Sequence, residues 1–305
     1  MRPAVSVIVP NYNHAPFLKQ RMQSILSQTF TDFEIILLDD CSTDNSQEIL
    51  QQYATLPQTA YVEVNKKNSG RPFLQWEKGI EKAHGEWIWI AETDDWCEPE
   101  LLENLIKAAN ENKECGLAYC TTIHEYGSHS WCPTYDKQTR YHTSSDFLTN
   151  NLLTKNTLCN ASGLIFRRDI FMSVDTTAFE NMRLCADWML YAHICAQCTV
   201  AEVSLPLNHY RIHQHNSSTS KAQLVNSFIE GIAVVDYISS LFKINTSRNN
   251  TTWAKQWAKA SALHKFSCHD NISIAKTFTR RHTAIVILFL FLNPWYTLRK
   301  KTQLQ

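Results

Sequence analysis

Four polar residues at positions 92–95, Glu-Thr-Asp-Asp, directly follow the apolar run 87–91. Adjacent carboxylates at the end of a buried strand are unfavourable unless a cation or several hydrogen-bond donors meet them. A hard divalent ion that also holds phosphate oxygens needs only one or two protein carboxylates. The stretch therefore predicts a metal site for a phosphorylated ligand. The alternative is an acidic turn that caps the helix beginning near Pro99, and this stretch alone leaves both open.

A second acidic pair, Asp39 and Asp40, follows the apolar run 33–38 in the same way. In a parallel sheet, the carboxyl ends of the strands meet at one edge, where open α/β sheets bind their ligands. One acid can accept a hydrogen bond from a base or a ribose, and the other can hold a metal that bridges a diphosphate. Together the two pairs predict a ligand that contains a nucleoside diphosphate.

The elements that would carry these acids alternate between strand and helix through the first hundred residues. β-branched and apolar runs predict strands at 5–9, 33–38, 61–64 and 87–91, and Pro10 is expected to end the first of them. Helical periodicity predicts helices at 17–26, 44–53 and 73–83, the second opened by a capping box at 44–47. The alternation predicts an α/β fold with a mostly parallel sheet and helices on both faces.

Composition and missing motifs exclude several classes of function. The chain has 305 residues, 44% of them hydrophobic, and a formal net charge of zero, which argues against general affinity for nucleic acid. It lacks a Gly-x-Gly-x-x-Gly fingerprint after the first strand and any P-loop, so a dinucleotide or P-loop site is not expected. The ten cysteines are scattered, and no export signal opens the chain, so we expect buried thiols and a cytoplasmic location.

Six segments resemble, in order and spacing, the motifs of family 2 glycosyltransferases. They are VSVIVPNYN at 5–13, SILSQT at 24–29, DDCSTD at 39–44, NSG at 68–70, GEW at 85–87 and ETDD at 92–95. The resemblance continues more weakly to about residue 220. It implies a GT-A type nucleotide-sugar-binding and catalytic domain over 1–220, followed by a helical C-terminal region over 221–305. It also implies inverting transfer from a nucleotide-diphosphate sugar, typically UDP-linked, with Mn²⁺ or Mg²⁺ as cofactor.

The same resemblance assigns roles to residues of the first half. Pro10 and Tyr12 are expected to shape the base pocket, and Asp40 to accept a hydrogen bond from the base. Asp94 and Asp95 look like the acidic pair of the family. Asp94 is expected to contact the donor, and Asp95 to be the direct metal ligand.

Two segments of the second half carry further expectations from the resemblance. Residues 180–191 are similar to the acidic segment that supplies the catalytic base, which matches Asp187 here. The alternative is that Asp187 is a helix N-cap. Residues 209–217 resemble a loop in which Arg211 approaches the diphosphate and His213 the metal; the alternative is a polar surface loop.

The mechanism implied is a single displacement. Asp187 takes a proton from an acceptor hydroxyl as the oxygen attacks the anomeric carbon, and the nucleoside diphosphate leaves from the opposite face. The expected acceptor is a glycan or a lipid-linked saccharide, selected by the irregular stretch 121–142. One alternative is a catalytically silent relative that serves as a membrane-associated assembly subunit. A nucleotidyltransferase would need a Gly-rich basic loop that residues 11–16 lack.

Beyond residue 220 the pattern predicts long helices at 224–242 and 253–266, separated by a polar link at 245–252. The apolar run 283–292 is about half of the ~20 residues that span a bilayer, and Pro294 is expected to interrupt it. Basic flanks and two interfacial aromatics predict that 283–296 lies on the inner face of the membrane. The alternative is a helix docked on the protein or on a dimer partner.

Overall fold

A computed structural model of the chain describes residues 2–213, 221–242, 247–278 and 283–302. The chain forms two compact units. The first contains the residues up to Phe147 and Leu158–His213, and the second contains Leu148–Thr157 and the residues beyond 213. The boundary predicted at residue 220 falls in the segment 214–220, which lies outside the described residues. The sequence did not reveal that Leu148–Thr157 belongs to the second unit.

The first unit is built on one mixed sheet. Its strands are β1 (Val5–Asn11), β2 (Phe33–Asp39), β3 (Thr59–Val64), β4 (Trp87–Ile90), β5 (Trp96–Cys97), β6 (Cys115–Tyr126), β7 (His129–Trp131), β8 (Thr139–His142), β9 (Leu164–Arg167) and β10 (Thr199–Arg211). The strand order is β3-β2-β1-β4-β9-β6-β10-β5, with β7 beside β6 and β8 beside β10. Pairs among β1 to β4 are parallel, as predicted, whereas β9 is antiparallel to both of its neighbours.

Helices cover the sheet of the first unit. They are α1 (Ala15–Leu26), α2 (Ser46–Tyr53), α3 (Pro72–Lys82), α4 (Leu101–Glu111), α5 (Ser144–Phe147), α6 (Arg168–Met172) and α7 (Ala186–Cys195). Every residue of β1 and β2 is buried, which is typical of parallel strands covered on both faces. Helix α3 packs directly on β1, because a Cβ added at Gly79 would lie 2.4 Å from Ile8 Cγ2.

Pro10 does not end the first strand, contrary to the prediction from sequence. It lies within β1, opposite Leu38 of β2. Pairing between β1 and β4 stops at Ile8, and the carbonyl of Ile8 accepts the last bond from that side, from Ala91. The nitrogen of Pro10 faces the same side, so its missing N–H removes no bond from the ladder.

The stretch 121–142 is more regular than predicted. Strand β6 continues to Tyr126 because it pairs with β10 through Glu125 and Arg211, and it then turns back through β7 as a hairpin. Strand β8 pairs with β10 as well. The threonine, isoleucine and tyrosine residues of this stretch fit a pleated surface.

The second unit is helical, as predicted for the C-terminal region. A π-helical turn at Leu148–Leu152 is joined by α8 (Lys221–Leu241), α9 (Ser247–His264), α10 (Cys268–Phe278) and α11 (Thr283–Thr302). Its core includes Trp257, which is fully buried and stacks on Phe289 with ring centroids 3.6 Å apart. The stretch Ala222–Leu241 of α8 has the length and composition to cross a membrane, although a core helix of a soluble protein would pass the same test.

Two predictions for the second unit were wrong. The polar link predicted at 245–252 is helical from Ser247 onward, in α9. Pro294 lies inside α11, which continues to Thr302. A proline inside a helix costs roughly 3 kcal/mol. Packing of Phe289 and Ile285, both buried, favours the helix on the N-terminal side of Pro294.

Candidate active site

Three elements of the first unit bring Asp94, His213 and His14 together. Asp94 lies in the turn after β4, His213 follows β10, and His14 is the N-cap residue of α1. His213 Nε2 lies 3.2 Å from Asp94 Oδ2. One potential ligand atom from each of the three side chains lies within 4.8 Å of the others, and all three residues are half-buried. The set can hold a metal ion, and the sequence did not indicate that His14 belongs to it.

Asp95 is buried in the interior of the unit and is not one of these three residues. Its residue is 1% exposed, and its carboxylate accepts hydrogen bonds from Asn160 Nδ2, from Ser162 Oγ at 2.7 Å and from the main-chain N–H of Arg211 at 3.1 Å. Burial, followed by the charge of Asp94, raises the pKa of Asp95 to about 7. The surroundings of the two acids favour Asp94 over Asp95 as a metal ligand, and the assignment of Asp95 stays a prediction.

Glu92 is the third acid of the turn. Trp76 Nε1 donates a hydrogen bond to Glu92 over 2.8 Å, and burial together with the charges of Asp94 and Asp95 raises the pKa of Glu92 to about 8. The hydrogen bond from α3 ties the start of the turn to that helix. The sequence left open whether Glu92 contacts ribose or metal, and its inward hydrogen bond favours a positioning role.

Arg21 of α1 is a buried cation whose charge acts on the acidic turn at 92–95. It is fully buried, its guanidinium carbon lies 4.8 Å from the ring centroid of Trp89, and none of its guanidinium nitrogens has a hydrogen-bond partner in the described part of the chain. Its charge lowers the pKa of both Glu92 and Asp95, opposing the larger effect of burial. Arg21 was not among the predicted site residues, although its position next to Met22 in an otherwise apolar stripe of the helix indicates a buried cation.

Arg211 reaches the same turn from the end of β10. Its guanidinium donates to the main-chain carbonyl of Asp94 and, over 2.7 Å, to Gln20 Oε1. The guanidinium carbon also lies 4.6 Å from the ring centroid of Phe17. These contacts place a forked cation beside Asp94, where it can meet a phosphate.

Asp40 lies at the end of β2, as predicted, and is buried. Its carboxylate accepts hydrogen bonds from Asn65 at 2.6 Å, from the N–H and hydroxyl of Ser69 at 2.9 and 2.7 Å, and from Gln75 at 3.0 Å. These bonds fasten the loop that precedes α3. Tyr12 is 43% exposed just beyond β1. The contact of Asp40 with a base stays a prediction, and its surroundings favour a positioning role.

Asp187 lies in the first turn of α7 and is half-buried. The N-cap of this helix is Cys185, so the alternative that Asp187 is the N-cap is wrong. Burial, and then the charges of Asp95 and Asp187, raise the pKa of Cys159 to about 12. Cys159 directly precedes Asn160, the donor to Asp95, so the charge of Asp187 acts on the segment that holds Asp95.

Residues 6–174 match the family model described as glycosyl transferase family 2. The chain belongs to this family. It is 27% identical over 282 residues to the putative glycosyltransferase EpsH of Bacillus subtilis (strain 168), covering 88% of this chain and 77% of EpsH. It is 30% identical over 109 residues to the poly(ribitol-phosphate) beta-N-acetylglucosaminyltransferase TarS of Staphylococcus aureus (strain Mu50 / ATCC 700699), covering 35% of this chain and 19% of TarS.

Solved structures confirm the GT-A fold of this family 2 member. The S. aureus TarS 1–349 complex with UDP matches with a TM-score of 0.66 and 16% identity, over 98% of this chain and 91% of that one. The mannosyltransferase PcManGT from Pyrobaculum calidifontis, in complex with GDP-Man and Mn²⁺, matches with a TM-score of 0.54 and 17% identity, over 97% and 88%. The predictions of a family 2 glycosyltransferase, of an α/β GT-A fold and of a transferase are confirmed.

Proposed function

We propose that this glycosyltransferase moves a sugar from a nucleoside-diphosphate donor, UDP-linked, to a hydroxyl of a glycan or lipid-linked acceptor with inversion. The observation that carries the proposal is the meeting of Asp94, His213 and Arg211 at the carboxyl edge of the sheet. A carboxylate, an imidazole and a guanidinium in one place match the groups that a diphosphate and its metal require.

Asp94 and His213 are the residues that we propose to hold a divalent ion. Their carboxylate and imidazole suit Mn²⁺, and Mg²⁺ is the alternative when most other ligands are oxygens. When bound there, the ion supplies positive charge that offsets the charge developing on the leaving diphosphate. Arg211 contributes a second cation beside the same turn, and its hydrogen bond to the carbonyl of Asp94 orients it.

Asp187 is the proposed general base. The half-buried position of Asp187, together with the effect of its charge on Cys159, supports this role, because a base must be close to the reacting centre. Asp187 takes the proton of the acceptor hydroxyl as that oxygen bonds to the anomeric carbon. The bond from the anomeric carbon to the diphosphate oxygen breaks on the opposite face, and one displacement inverts the centre.

We assign recognition of the base to Tyr12, whose ring is exposed beyond β1, with Pro10 shaping the strand end. An aromatic ring offers a stacking surface to a base. Asp40 supports the pocket from behind through its bonds to Ser69 and Gln75.

The hairpin of β6 and β7 is the proposed acceptor platform. Tyr126 and Trp131 are 51% and 57% exposed. His124 packs beside Trp131 with ring centroids 5.3 Å apart, and its Nε2 lies 3.7 Å from Cys159 Sγ, next to the acidic turn. Exposed aromatic rings provide an apolar face with a polar edge, which fits a sugar ring.

The second unit supports membrane association of the enzyme. On α11, Ile287, Leu290 and Phe291 are 51%, 64% and 77% exposed and recur at helical spacing, and basic residues follow at 299–301. An apolar stripe that is followed in the sequence by cationic residues fits an anionic membrane surface. Flotation with vesicles that contain an anionic lipid tests this, and a Leu290→Glu, Phe291→Glu double variant should stay with the soluble fraction. Equal flotation of both proteins would refute the membrane role.

The test of the function is binding of UDP, GDP and their sugar conjugates, with Mn²⁺ and with a chelator. We expect one nucleotide to bind in a metal-dependent manner and its sugar to be transferred to an oligosaccharide acceptor with inverted configuration. If a nucleotide sugar binds but the protein neither transfers its sugar nor hydrolyses it slowly, the silent assembly subunit is favoured. A folded protein that binds none of these nucleotides would refute the proposal.

A further inference from the structure

We propose that His14 is a third protein ligand of the divalent ion, so that His14, Asp94 and His213 bind a transition-metal ion before the nucleotide arrives. This inference rests on the proposed function, because it concerns the same site. It goes further in assigning a residue at the start of α1 to the metal and in giving the site an affinity of its own.

The separation of the three side chains supports one shared ion. One ligand atom from each of His14, Asp94 and His213 lies within 4.8 Å of the others. Ligands bound at ~2.1 Å to a single ion lie about 3 to 4.2 Å apart, depending on the angle between them. Atoms that lie within 4.8 Å of one another exceed the upper end of that range by at most about 0.6 Å.

The two histidine rings are held in place without an ion. His14 Nδ1 lies 2.7 Å from the hydroxyl of Thr93, a residue with no exposed surface. The ring of Phe17 contacts both histidines, with its centroid 5.9 Å from that of His14 and 5.2 Å from that of His213, on which it stacks. A hydrogen bond such as that between His14 and Thr93 fixes the tautomer and orientation of a metal-bound histidine.

Three prepositioned ligands change how the ion binds. A site with one carboxylate depends on the diphosphate for most of its affinity, whereas two imidazoles and a carboxylate can retain an ion alone. An ion held by these three protein ligands would keep further positions for phosphate oxygens and water. Nitrogen ligands favour Mn²⁺, Co²⁺ and Zn²⁺ over Mg²⁺, which prefers oxygen. We therefore expect metal to bind first and Mg²⁺ to be a weak substitute.

The experiment is a titration of the nucleotide-free full chain with Mn²⁺. Electron paramagnetic resonance and calorimetry measure how much of the ion is bound. We expect one ion per chain for the wild type. The Kd for Mn²⁺ should rise at least ~10-fold in His14→Ala and by a smaller factor in Thr93→Val, which removes the hydroxyl beside the ring. His84→Ala is the matched control, since His84 is exposed and precedes β4 at the opposite edge of the sheet. An unchanged Kd in a folded His14→Ala protein would overturn the inference, and so would a wild type that binds no Mn²⁺ without nucleotide.

A second titration separates this inference from the proposed function. If Mn²⁺ binds and depends on His14, but no nucleotide binds with or without it, the metal site stands and the proposed function falls. If a nucleotide binds in a Mn²⁺-dependent manner and His14→Ala changes neither its Kd nor that of Mn²⁺, the proposed function stands and the role of His14 falls.

Discussion

Ser162 donates a hydrogen bond to Asp95 over 2.7 Å, whereas the neighbouring Asp94 lies 3.2 Å from a ring nitrogen of His213. Two consecutive acids therefore face different surroundings. Asp95 accepts hydrogen bonds from the segment of Asn160 and Ser162 and from Arg211. Asp94 lies next to His14 and His213. The two residues should respond differently to substitution.

Replacing Asp94 with Asn should weaken metal-dependent nucleotide binding at least ~10-fold and leave stability nearly unchanged, because the side chain is half-buried and removing its charge relieves repulsion within the turn. Calorimetry with Mn²⁺ and thermal unfolding check the two parts. The prediction is wrong if Asp94→Asn binds the nucleotide as the wild type does.

Replacing Asp95 with Asn should instead destabilise the fold. An amide cannot accept from all three donors that Asp95 meets, and an unsatisfied buried group costs about 1–3 kcal/mol. We expect the Tm to fall by roughly 3 °C or more. A Tm equal to that of the wild type, measured side by side in chelator, would contradict the interior role of Asp95.

Replacing Asp187 with Asn should lower kcat by about 100-fold or more, because general base catalysis typically contributes a factor of this size. Donor affinity should not change, since the proposed role concerns the acceptor hydroxyl. Asp175→Asn is a matched control, because Asp175 is exposed and caps a short turn. Turnover of Asp187→Asn near the wild-type rate would remove this residue from the mechanism.

The raised pKa of Glu92 predicts that the stability of the protein depends on pH when a chelator is present. Its pKa is about 8 in the folded protein and 4.5 ordinarily, so the folded state keeps a proton that the unfolded chain releases. The stability that this group contributes is full below pH 4.5 and is lost as the pH rises to about 8. We expect the wild-type Tm to fall between about pH 5.5 and 8.5, and that of Glu92→Gln to fall less, because the amide stays neutral. Parallel curves for the two proteins would show that Glu92 does not titrate in this range.

The exposed position of Trp131 in the hairpin predicts that replacing this residue weakens binding of the acceptor alone. Trp131→Ala should raise the KM for an oligosaccharide acceptor by about 5-fold or more and leave donor binding unchanged, since stacking is the proposed contact. Met172→Ala is a control of similar exposure on α6, outside the stretch 121–142. The same KM in both variants would exclude the hairpin as the acceptor platform.

The sequence alone determined the family, the fold class and the parallel strands β1 to β4. Continuous β-branched runs predict buried parallel strands, and the acids at 39–40 and 92–95 follow those runs directly, so their common edge required no knowledge of distant contacts. The helices α1, α2 and α3 were predicted to within a few residues for the same reason, since their periodicity is local.

Only the tertiary structure decided which acid faces which partner. Asp94 and Asp95 are adjacent and chemically alike, and their difference comes from Asn160, Ser162 and His213, which lie more than sixty residues away in the chain. The pairing of β6 with β10 and the position of His14 beside His213 depend equally on long-range packing. Local sequence patterns do not predict such long-range contacts. The free energy that favours these contacts comes from burial and from hydrogen bonds that form once the whole sheet is assembled.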